Sequence, residues 1–234
     1  MSLPVLIMTR PAPDSERFID GMKPDVRAKL SVVISPLLEI VPTGAVVDMA
    51  RYRGAIFTSA NGVAYAPPGA GRVAYCVGER TAHAARENGW NASVSGQNAD
   101  ELIKELANTP PQGPSVHISG VHQRGDIAAR LSEAGVQTDA IAVYDQQLLP
   151  LSPAAQQAIT AKAPCIVPIF SPRTATHFAT FCTNVENLVI IALSDAVAKP
   201  LASCGARKLI VADAPNSASM YDALETALDW ATLS

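Results

Sequence analysis

The sequence predicts an α/β protein with two similar lobes, each a five-stranded parallel sheet flanked by helices, joined by a two-strand hinge. Short runs rich in Val, Ile and Ala alternate with segments of helical periodicity, which is typical of parallel sheets buried on both faces. The pattern also repeats, because GAIFTSANGVAY at 54–65 is echoed by VPIFSPRTATHF at 167–178. Both copies continue as strand, helix, strand, helix, which indicates two related lobes.

Ten segments have the composition of strands: 5–9, 31–35, 55–58, 73–77, 92–95, 116–119, 138–143, 166–170, 189–193 and 208–212. Helices are predicted between them. Asn98 followed by Glu101 predicts a capping box at the start of one helix. Three helices are expected to end at a glycine in the left-handed conformation, at Gly89, Gly135 and Gly205.

The second copy of the repeat reaches the C-terminus too early to supply five strands alone, and the first two strands have no partners in the first copy. Pairing the two ends of the chain predicts a discontinuous lobe, 1–36 plus 151–234, and an inserted lobe, 42–145. The predicted connectors are 37–41 and 146–150, both extended. Two lobes joined by two crossings have a cleft between them, and α/β sheets bind ligands beyond the carboxyl ends of their strands.

Composition excludes several function classes. The 234 residues carry a net charge of −3, and the basic residues are scattered singly, which argues against nucleic-acid binding. The N-terminal apolar run lacks the basic flank of a signal peptide, and no apolar run approaches the ~18 residues of a membrane span, so a cytoplasmic protein is expected. No nucleotide or metal motif occurs, so no cofactor is expected, and the cysteines are interpreted as packing residues: Cys76, Cys165, Cys182 and Cys204.

Small or hydroxylated residues follow many of the predicted strands, where helices begin. Helix N-termini bind anions through free backbone N–H groups, so these residues are candidate binding residues. Each one taken singly is better explained as a helix cap, whereas the set converging on one cleft favours binding. The candidates are Thr9, Arg10, Ser59, Asn61, Gly78, Thr81, Ser119, Gly120, Arg124, Ser171 and Ser194.

Tyr144 is the candidate for proton chemistry. It closes the strand TDAIAVY and opens the second connector, so its side chain either covers the edge of a core or donates a proton to a leaving hydroxyl. The histidines, at 83, 117, 122 and 177, are not part of any nucleophile motif. His122 either lines the cleft or is solvated.

Over essentially its full length the sequence resembles the uroporphyrinogen-III synthases. The resemblance rests on TRP at 9–11, I-x-P-x-x-x-I at 34–40, FTSANGV at 57–63, VGERTAHAARENG at 77–89, HISG before a helix and then VY ending at Tyr144, FSP at 170–172, and NSASMYDAL near the C-terminus. The order and spacing of these motifs together are specific. Two departures lie in the second copy, where Val197 replaces a threonine and FTSP is shortened to FSP.

This resemblance implies a monomeric, cofactor-free lyase that closes the linear tetrapyrrole hydroxymethylbilane into uroporphyrinogen III. The terminal pyrrole is inverted through a spirocyclic intermediate and water is lost. It also implies a tetrapyrrole bound mainly by main-chain groups, with the tyrosine at 144 as the candidate acid. The substrate is strongly anionic, so a protein of net charge −3 must capture it by local donors. The alternatives are a cytosolic two-lobe binding or sensor protein and a non-catalytic partner of an oligomeric enzyme.

Overall fold

A computed structural model describes residues 3–122, 125–182 and 185–232. The chain divides into two compact units. Unit 1 comprises the chain up to Glu39 together with the chain from Leu148 onwards, and unit 2 comprises Ile40–Gln147. None of the helices among these described residues is both long and apolar enough to cross a membrane.

The strands are β1 (Val5–Met8), β2 (Ser31–Ile34), β3 (Leu38–Pro42), β4 (Gly54–Phe57), β5 (Val73–Val77), β6 (Asn91–Gly96), β7 (Ser115–Gly120), β8 (Thr138–Leu148), β9 (Cys165–Ile169), β10 (Leu188–Ala192) and β11 (Lys208–Val211). The helices are α1 (Ala12–Asp20), α2 (Pro24–Arg27), α3 (Ala60–Ala64), α4 (Gly78–Glu87), α5 (Ala99–Asn108), α6 (Ile127–Glu133), α7 (Pro153–Thr160), α8 (Pro172–Ala179), α9 (Asp195–Ala198) and α10 (Ser217–Thr232). All ten predicted strands are present, and β3 is additional.

Unit 1 contains a five-stranded sheet in the order β11-β10-β9-β1-β2, and every pair in it is parallel. Both faces are buried. Ile7 belongs to the apolar cluster on one face, whereas Leu6 and Met8 belong to the cluster on the other. This alternation is what a strand sandwiched between two helical layers requires.

Unit 2 contains a six-stranded sheet in the order β3-β8-β7-β4-β5-β6, so the prediction of five strands in this lobe is wrong. Leu149 donates its N–H to the Leu37 carbonyl (3.0 Å), and Thr43 donates to the Val143 carbonyl (3.0 Å). The partner numbers run in opposite directions, so β3 lies antiparallel to β8. The segment predicted as an extended connector at 37–41 therefore forms most of a strand, because its backbone groups find partners along an extended β8.

Without β3, the two sheets share one strand order: β6-β5-β4-β7-β8 in unit 2 corresponds to β11-β10-β9-β1-β2 in unit 1. The remaining pairs of unit 2 are parallel. The carboxyl ends of β7, β4 and β5 are consequently neighbours, as are those of β1, β9 and β10. Most of the predicted binding residues follow these six strands.

Local signals fix most of the helix ends as predicted. Glu101 donates its backbone N–H to Asn98 Oδ1 (3.0 Å), so the predicted N-cap is confirmed, and the Glu101 carboxylate accepts from the N–H of Gln97 (2.8 Å), one residue before the cap. Gly89 and Gly135 directly follow the C-caps of α4 and α6 with φ of +79° and +85°, as predicted. Gly205 also has a positive φ, +64°, but lies four residues after the last helical residue, Leu201, and does not end a helix as predicted.

Candidate functional site

In unit 2, three adjacent strands end in predicted site residues. Ser59 follows β4 and caps α3, because its Oγ accepts a hydrogen bond from the Asn61 N–H (3.2 Å). Gly120 is the last residue of β7, beside it. Gly78 opens α4 after β5 with φ of +72°, and a Cβ there would meet no described atom within 4 Å. Glycine suits this position because of the positive φ, and not because a side chain would lack space.

Tyr144 lies within β8 and not at the end of a strand as predicted, because the chain stays paired to Leu148. Its side chain is 5% exposed. The ring packs on Gly120, where a Cβ would lie 2.5 Å from Tyr144 Cε2 and 3.0 Å from Oη. The fold thus brings together Gly120 and Tyr144, which lie on different strands.

Burial raises the pKa of Tyr144 above its ordinary value, and the nearby Ser59 hydroxyl opposes this with a smaller lowering effect. The phenol is therefore protonated throughout the neutral range. A protonated phenol is a proton donor of the kind that a departing hydroxyl requires.

Ser119 is directed away from this group. Alternate residues of a strand share a face, so Ser119 lies with Ser115 and His117, opposite Val116 and Ile118, which belong to the same cluster as Tyr144. The Ser119 Oγ has no hydrogen-bond partner among the described residues and is 4% exposed. Its predicted binding role therefore has no support from its side chain.

His117 is a buried polar residue of β7 that the sequence interpretation left without a role. Its Nε2 lies 3.2 Å from Thr58 Oγ1, and its Nδ1 has no partner within the described chain. Burial lowers the pKa of His117 to about 4, so the ring is neutral at pH 7. The sequence does contain a pattern that indicates a buried histidine, because VHIS places His117 between apolar residues of a strand.

Tyr65 is a second residue to which the sequence interpretation gave no role. Its ring is stacked against that of Tyr144, with centroids 6.1 Å apart and an interplanar angle of 28°. Its hydroxyl donates to the Ile40 carbonyl (3.0 Å). Nothing in its spacing from Ser59 predicts this contact, because Tyr65 and Tyr144 meet only through the tertiary fold.

The remaining unit 2 candidates are less informative. Thr81 is buried inside α4, 6% exposed. His122 Nε2 lies 3.4 Å from Asp145 Oδ1, on a partly exposed surface. Arg124 lies outside the described residues.

In unit 1, the strand-end hydroxyls are used within the protein. Thr9, which follows β1, donates to the Pro168 carbonyl (3.0 Å) and is 1% exposed. Ser171 caps α8 by accepting from the Thr174 N–H (3.1 Å), and its hydroxyl donates to Thr174 Oγ1 (2.8 Å). Ser194 occupies the cap position of α9 without a side-chain cap bond.

Arg10 is the cationic residue among the unit 1 candidates. Its guanidinium lies 4.6 Å from the centroid of the Phe170 ring, at the end of β9, and 3.6 Å from Asp14 Oδ1. A guanidinium on an aromatic face is held in place and keeps its charge. Unit 1 therefore presents a fixed cation beside the ends of β1 and β9.

The cysteines occupy packing positions, as predicted: Cys76, Cys165 and Cys204 are buried and Cys182 is half-buried. Burial raises the pKa of Cys76 to about 12 and that of Cys165 to about 11, so both remain thiols at neutral pH. Within the described ranges, no group of three or more His, Cys, Asp or Glu side chains could hold a metal ion.

Fold and site together define an α/β protein of the kind that carries out its chemistry at the carboxyl ends of parallel strands. The family model described as Uroporphyrinogen-III synthase HemD matches residues 27–222. The chain therefore belongs to the uroporphyrinogen-III synthase family. It is a cyclising lyase of tetrapyrrole biosynthesis, and the alternative of a non-catalytic binding protein gains no support.

One solved structure supports the fold. The uroporphyrinogen-III synthetase from Helicobacter pylori has a TM-score of 0.68 at 18% identity, over 96% of this chain and 100% of that chain. A mutant uroporphyrinogen III synthase from Thermus thermophilus has a TM-score of 0.48 at 13% identity, over 96% of this chain and 99% of that chain. The comparison with curated protein sequences found no match.

Proposed function

We propose that Tyr144 is the general acid of the ring closure, protonating the hydroxyl that leaves hydroxymethylbilane. The observation that carries this proposal is the placement of its buried ring and hydroxyl against Gly120, at the carboxyl end of β7. A phenol kept protonated by burial and held at the carboxyl edge of a parallel sheet has the chemistry and the location of a proton donor.

In the proposed reaction the phenol gives up one proton and later recovers one. The phenolic O–H bond breaks as an O–H bond forms on the hydroxymethyl oxygen, the C–O bond breaks, and water leaves. The pyrrole nitrogen supplies the electron pair that stabilises the carbon left behind. The pyrrole carbon that closes the ring later loses its proton, which restores the phenol. Because the leaving group is already activated by the pyrrole, the acid is expected to contribute near the lower end of the ~10²–10⁴-fold typical of general acid catalysis.

We propose that the carboxylate arms of the substrate bind at the strand ends of both units. In unit 2 the donors are backbone N–H groups at the start of α4, around Gly78, and near Gly120. In unit 1 they are the start of α8 after Ser171, the start of α9 after Ser194, and the Arg10 guanidinium. A helix N-terminus attracts anions through its free N–H groups and its dipole, which suits a chain of net charge −3.

The same proposal assigns smaller roles elsewhere. The hydroxyls of Thr9 and Ser119 are buried, and that of Thr81 lies within α4, so any contribution from these positions comes from the main chain or from packing. Arg124 remains a proposed contact from the loop after β7. The outline is a monomeric, cytoplasmic enzyme without cofactor, whose lobes 1–36 plus 151–234 and 42–145 are connected by the strands at 37–41 and 146–150.

The experiment is a turnover assay with freshly generated hydroxymethylbilane on protein that has been exhaustively chelated and dialysed. The porphyrins are oxidised and the type I and type III isomers separated. We expect type III product from the parent protein, and about 100-fold slower formation by Tyr144→Phe with an unchanged melting temperature and isomer preference. A folded Tyr144→Phe protein that turns over at the parent rate contradicts the role of the phenol. Activity that only an added metal or nucleotide restores contradicts the cofactor-free outline.

A further inference from the structure

Arg10 stands at one end of a column of three aromatic rings in unit 1. Its guanidinium lies 4.6 Å from the centroid of the Phe170 ring. The rings of Phe170 and Phe18 meet edge to face, with centroids 5.3 Å apart and an interplanar angle of 77°. Phe18 is stacked on Tyr221, with centroids 4.6 Å apart and an angle of 26°. The column therefore joins the loop after β1 to the end of β9, to α1 and to α10.

The far end of the column is fixed by Tyr221. Its hydroxyl donates to the Phe18 carbonyl (3.1 Å), so the two stacked rings are also joined by a hydrogen bond. A side chain at Gly21 would collide with this hydroxyl, and because the φ of Gly21 is −80°, the need for glycine there comes from Tyr221 and not from the backbone. Phe18 is 3% exposed and belongs to the core on one face of the sheet. The column is therefore part of a packed core.

Two motifs from opposite ends of the chain meet in this column. Arg10 belongs to TRP at 9–11, and Tyr221 belongs to NSASMYDAL near the C-terminus. The proposed function uses Arg10 as a donor to a substrate carboxylate but gives no role to Tyr221. The stacked rings supply a physical link between the two residues.

Stacking and carboxylate binding use different parts of a guanidinium. The ring lies against a face of the group, whereas its N–H donors lie in its plane, where a carboxylate accepts them. Asp14 Oδ1, at 3.6 Å from Arg10 Nη2, adds a second restraint. An arginine side chain that is already held in one orientation loses less conformational entropy when its ligand arrives. The column is therefore expected to favour substrate binding through Arg10.

We propose that Phe170, Phe18 and Tyr221 are positioning residues for substrate binding: their column holds the Arg10 guanidinium in the orientation in which it receives a carboxylate arm of hydroxymethylbilane. This inference rests on the proposed role of Arg10 in binding the substrate. The rings act through Arg10, so their loss affects KM and leaves the proton transfer at Tyr144 unchanged.

The kinetic test removes the aromatic face and then restores it. Phe170→Leu is expected to raise KM about threefold at the parent kcat, the size of one partly exposed cation–π contact. Phe170→Tyr keeps an aromatic face, and KM should return to within about 1.5-fold of the parent. Phe18→Leu leaves the Phe170 ring without its neighbour in the column and should raise KM about twofold. A KM that Phe170→Leu leaves unchanged, or that Phe170→Tyr fails to restore, overturns the inference.

Nuclear magnetic resonance follows the Arg10 side chain directly. The Nε–H signal of Arg10 is identified by its absence from the ¹⁵N–¹H spectrum of Arg10→Gln. A proton over an aromatic face is shielded by the ring current, so this signal should move downfield in Phe170→Leu and return in Phe170→Tyr. A smaller shift is expected in Phe18→Leu. A signal that stays in place in Phe170→Leu shows that the ring does not hold Arg10, and the inference is then wrong.

Trp230→Leu is the matched control. Lys208 Nζ lies 4.7 Å from the centroid of the Trp230 ring, so this variant also removes a cation–π contact from unit 1, but at the start of β11 and not at the carboxyl end of a strand. It should leave KM, kcat and the Arg10 signal at parent values, whatever it costs in melting temperature. A KM that rises as much as in Phe170→Leu would mean that general loosening of unit 1 explains the effect.

Double variants separate this inference from the proposed function. In the Arg10→Gln background, Phe170→Leu should not raise KM further, because the group that the ring positions is gone. An equal rise in both backgrounds shows that Phe170 acts independently, and the positioning inference is then wrong while the role of Arg10 stands. If Arg10→Gln alone has the parent KM, the binding role of Arg10 is itself wrong, and the inference that rests on it fails as well.

Discussion

The two units carry the same strand order and the same serine-capped helix after their central strand, yet the two serines are used differently. Ser171 of unit 1 both accepts from and donates to Thr174 of its own helix. Ser59 of unit 2 accepts from its helix at Asn61, and its hydroxyl lowers the pKa of Tyr144. The cap of unit 2 therefore acts on the residue proposed for proton transfer, whereas the cap of unit 1 is bonded within its own helix.

The side chains near the two capping serines also differ between the units. Unit 1 places the Arg10 guanidinium on the Phe170 ring at the end of β9, whereas unit 2 places the Tyr144 phenol on Gly120 at the end of β7. One side chain is a permanent cation and the other a proton donor. The comparison suggests that unit 1 is specialised for binding the anionic substrate and unit 2 for its chemistry.

The largest expected effect tests this division directly. Tyr144→Phe should lower kcat about 100-fold with little effect on KM, because only the transition state uses the proton. Arg10→Gln should do the reverse, raising KM about tenfold through the loss of one charge-assisted contact. Steady-state kinetics on hydroxymethylbilane measures both. A fall in kcat for Arg10→Gln as large as that for Tyr144→Phe would contradict the division.

The corresponding strands β1 and β7 predict a difference in acid stability between the units. In β1 of unit 1, Leu6, Ile7 and Met8 are fully buried and apolar, whereas β7 of unit 2 buries His117, whose pKa is lowered to about 4. Between pH 6.5 and 4 the unfolded chain binds the proton and the folded chain does not, so stability falls as pH falls. The expected loss is about 2 kcal/mol from about pH 7 to about pH 5.

Denaturant unfolding at the two pH values measures this loss, and hydrogen exchange should show unit 2 losing protection first. His117→Gln should remove most of the pH dependence. His83→Gln is the control, because His83 is 69% exposed on α4 and should leave the dependence unchanged. If unit 1 loses protection first at the lower pH, the assignment of acid sensitivity to His117 is incorrect.

The contact between Gly120 and the Tyr144 ring can be tested by adding a side chain at Gly120. Gly120→Ala places a methyl group where the Tyr144 ring lies, and we expect a loss of about 1.5 kcal/mol in unfolding free energy, as in other overpacked sites. In a Tyr144→Ala background the ring is absent, so the same substitution should cost almost nothing. Thermal unfolding of the four proteins gives the coupling. Additive losses would mean that Gly120 is required for a reason other than the ring.

The smallest expected effect concerns the unit 1 cap. Ser171→Ala removes the acceptor for the Thr174 N–H and should cost about 1 kcal/mol of stability. Ser203→Ala, at an exposed position of the same unit, is the control and should be nearly neutral. The titration of Tyr144 should not respond to Ser171→Ala, in contrast to Ser59→Ala. A shift there would show that the two caps are not used differently after all.

The sequence by itself determined the parallel α/β class, the ten predicted strands, the helix ends at Asn98, Gly89 and Gly135, and the family. These features depend on local periodicity, caps and left-handed glycines, which act within a few residues of one another. The motifs FTSANGV and HISG likewise predict Ser59 and Gly120 at strand ends.

Only the tertiary structure decided the sixth strand of unit 2, the face on which Ser119 lies, and the grouping of Tyr144 with Ser59, Gly120 and Tyr65. An extended connector and an edge strand have the same local pattern, and pairing with β8 distinguishes them. Whether a cap hydroxyl lies near enough to a phenol to affect its pKa depends on a residue 85 positions away. Such contacts follow from strand order and register, which a local pattern does not encode.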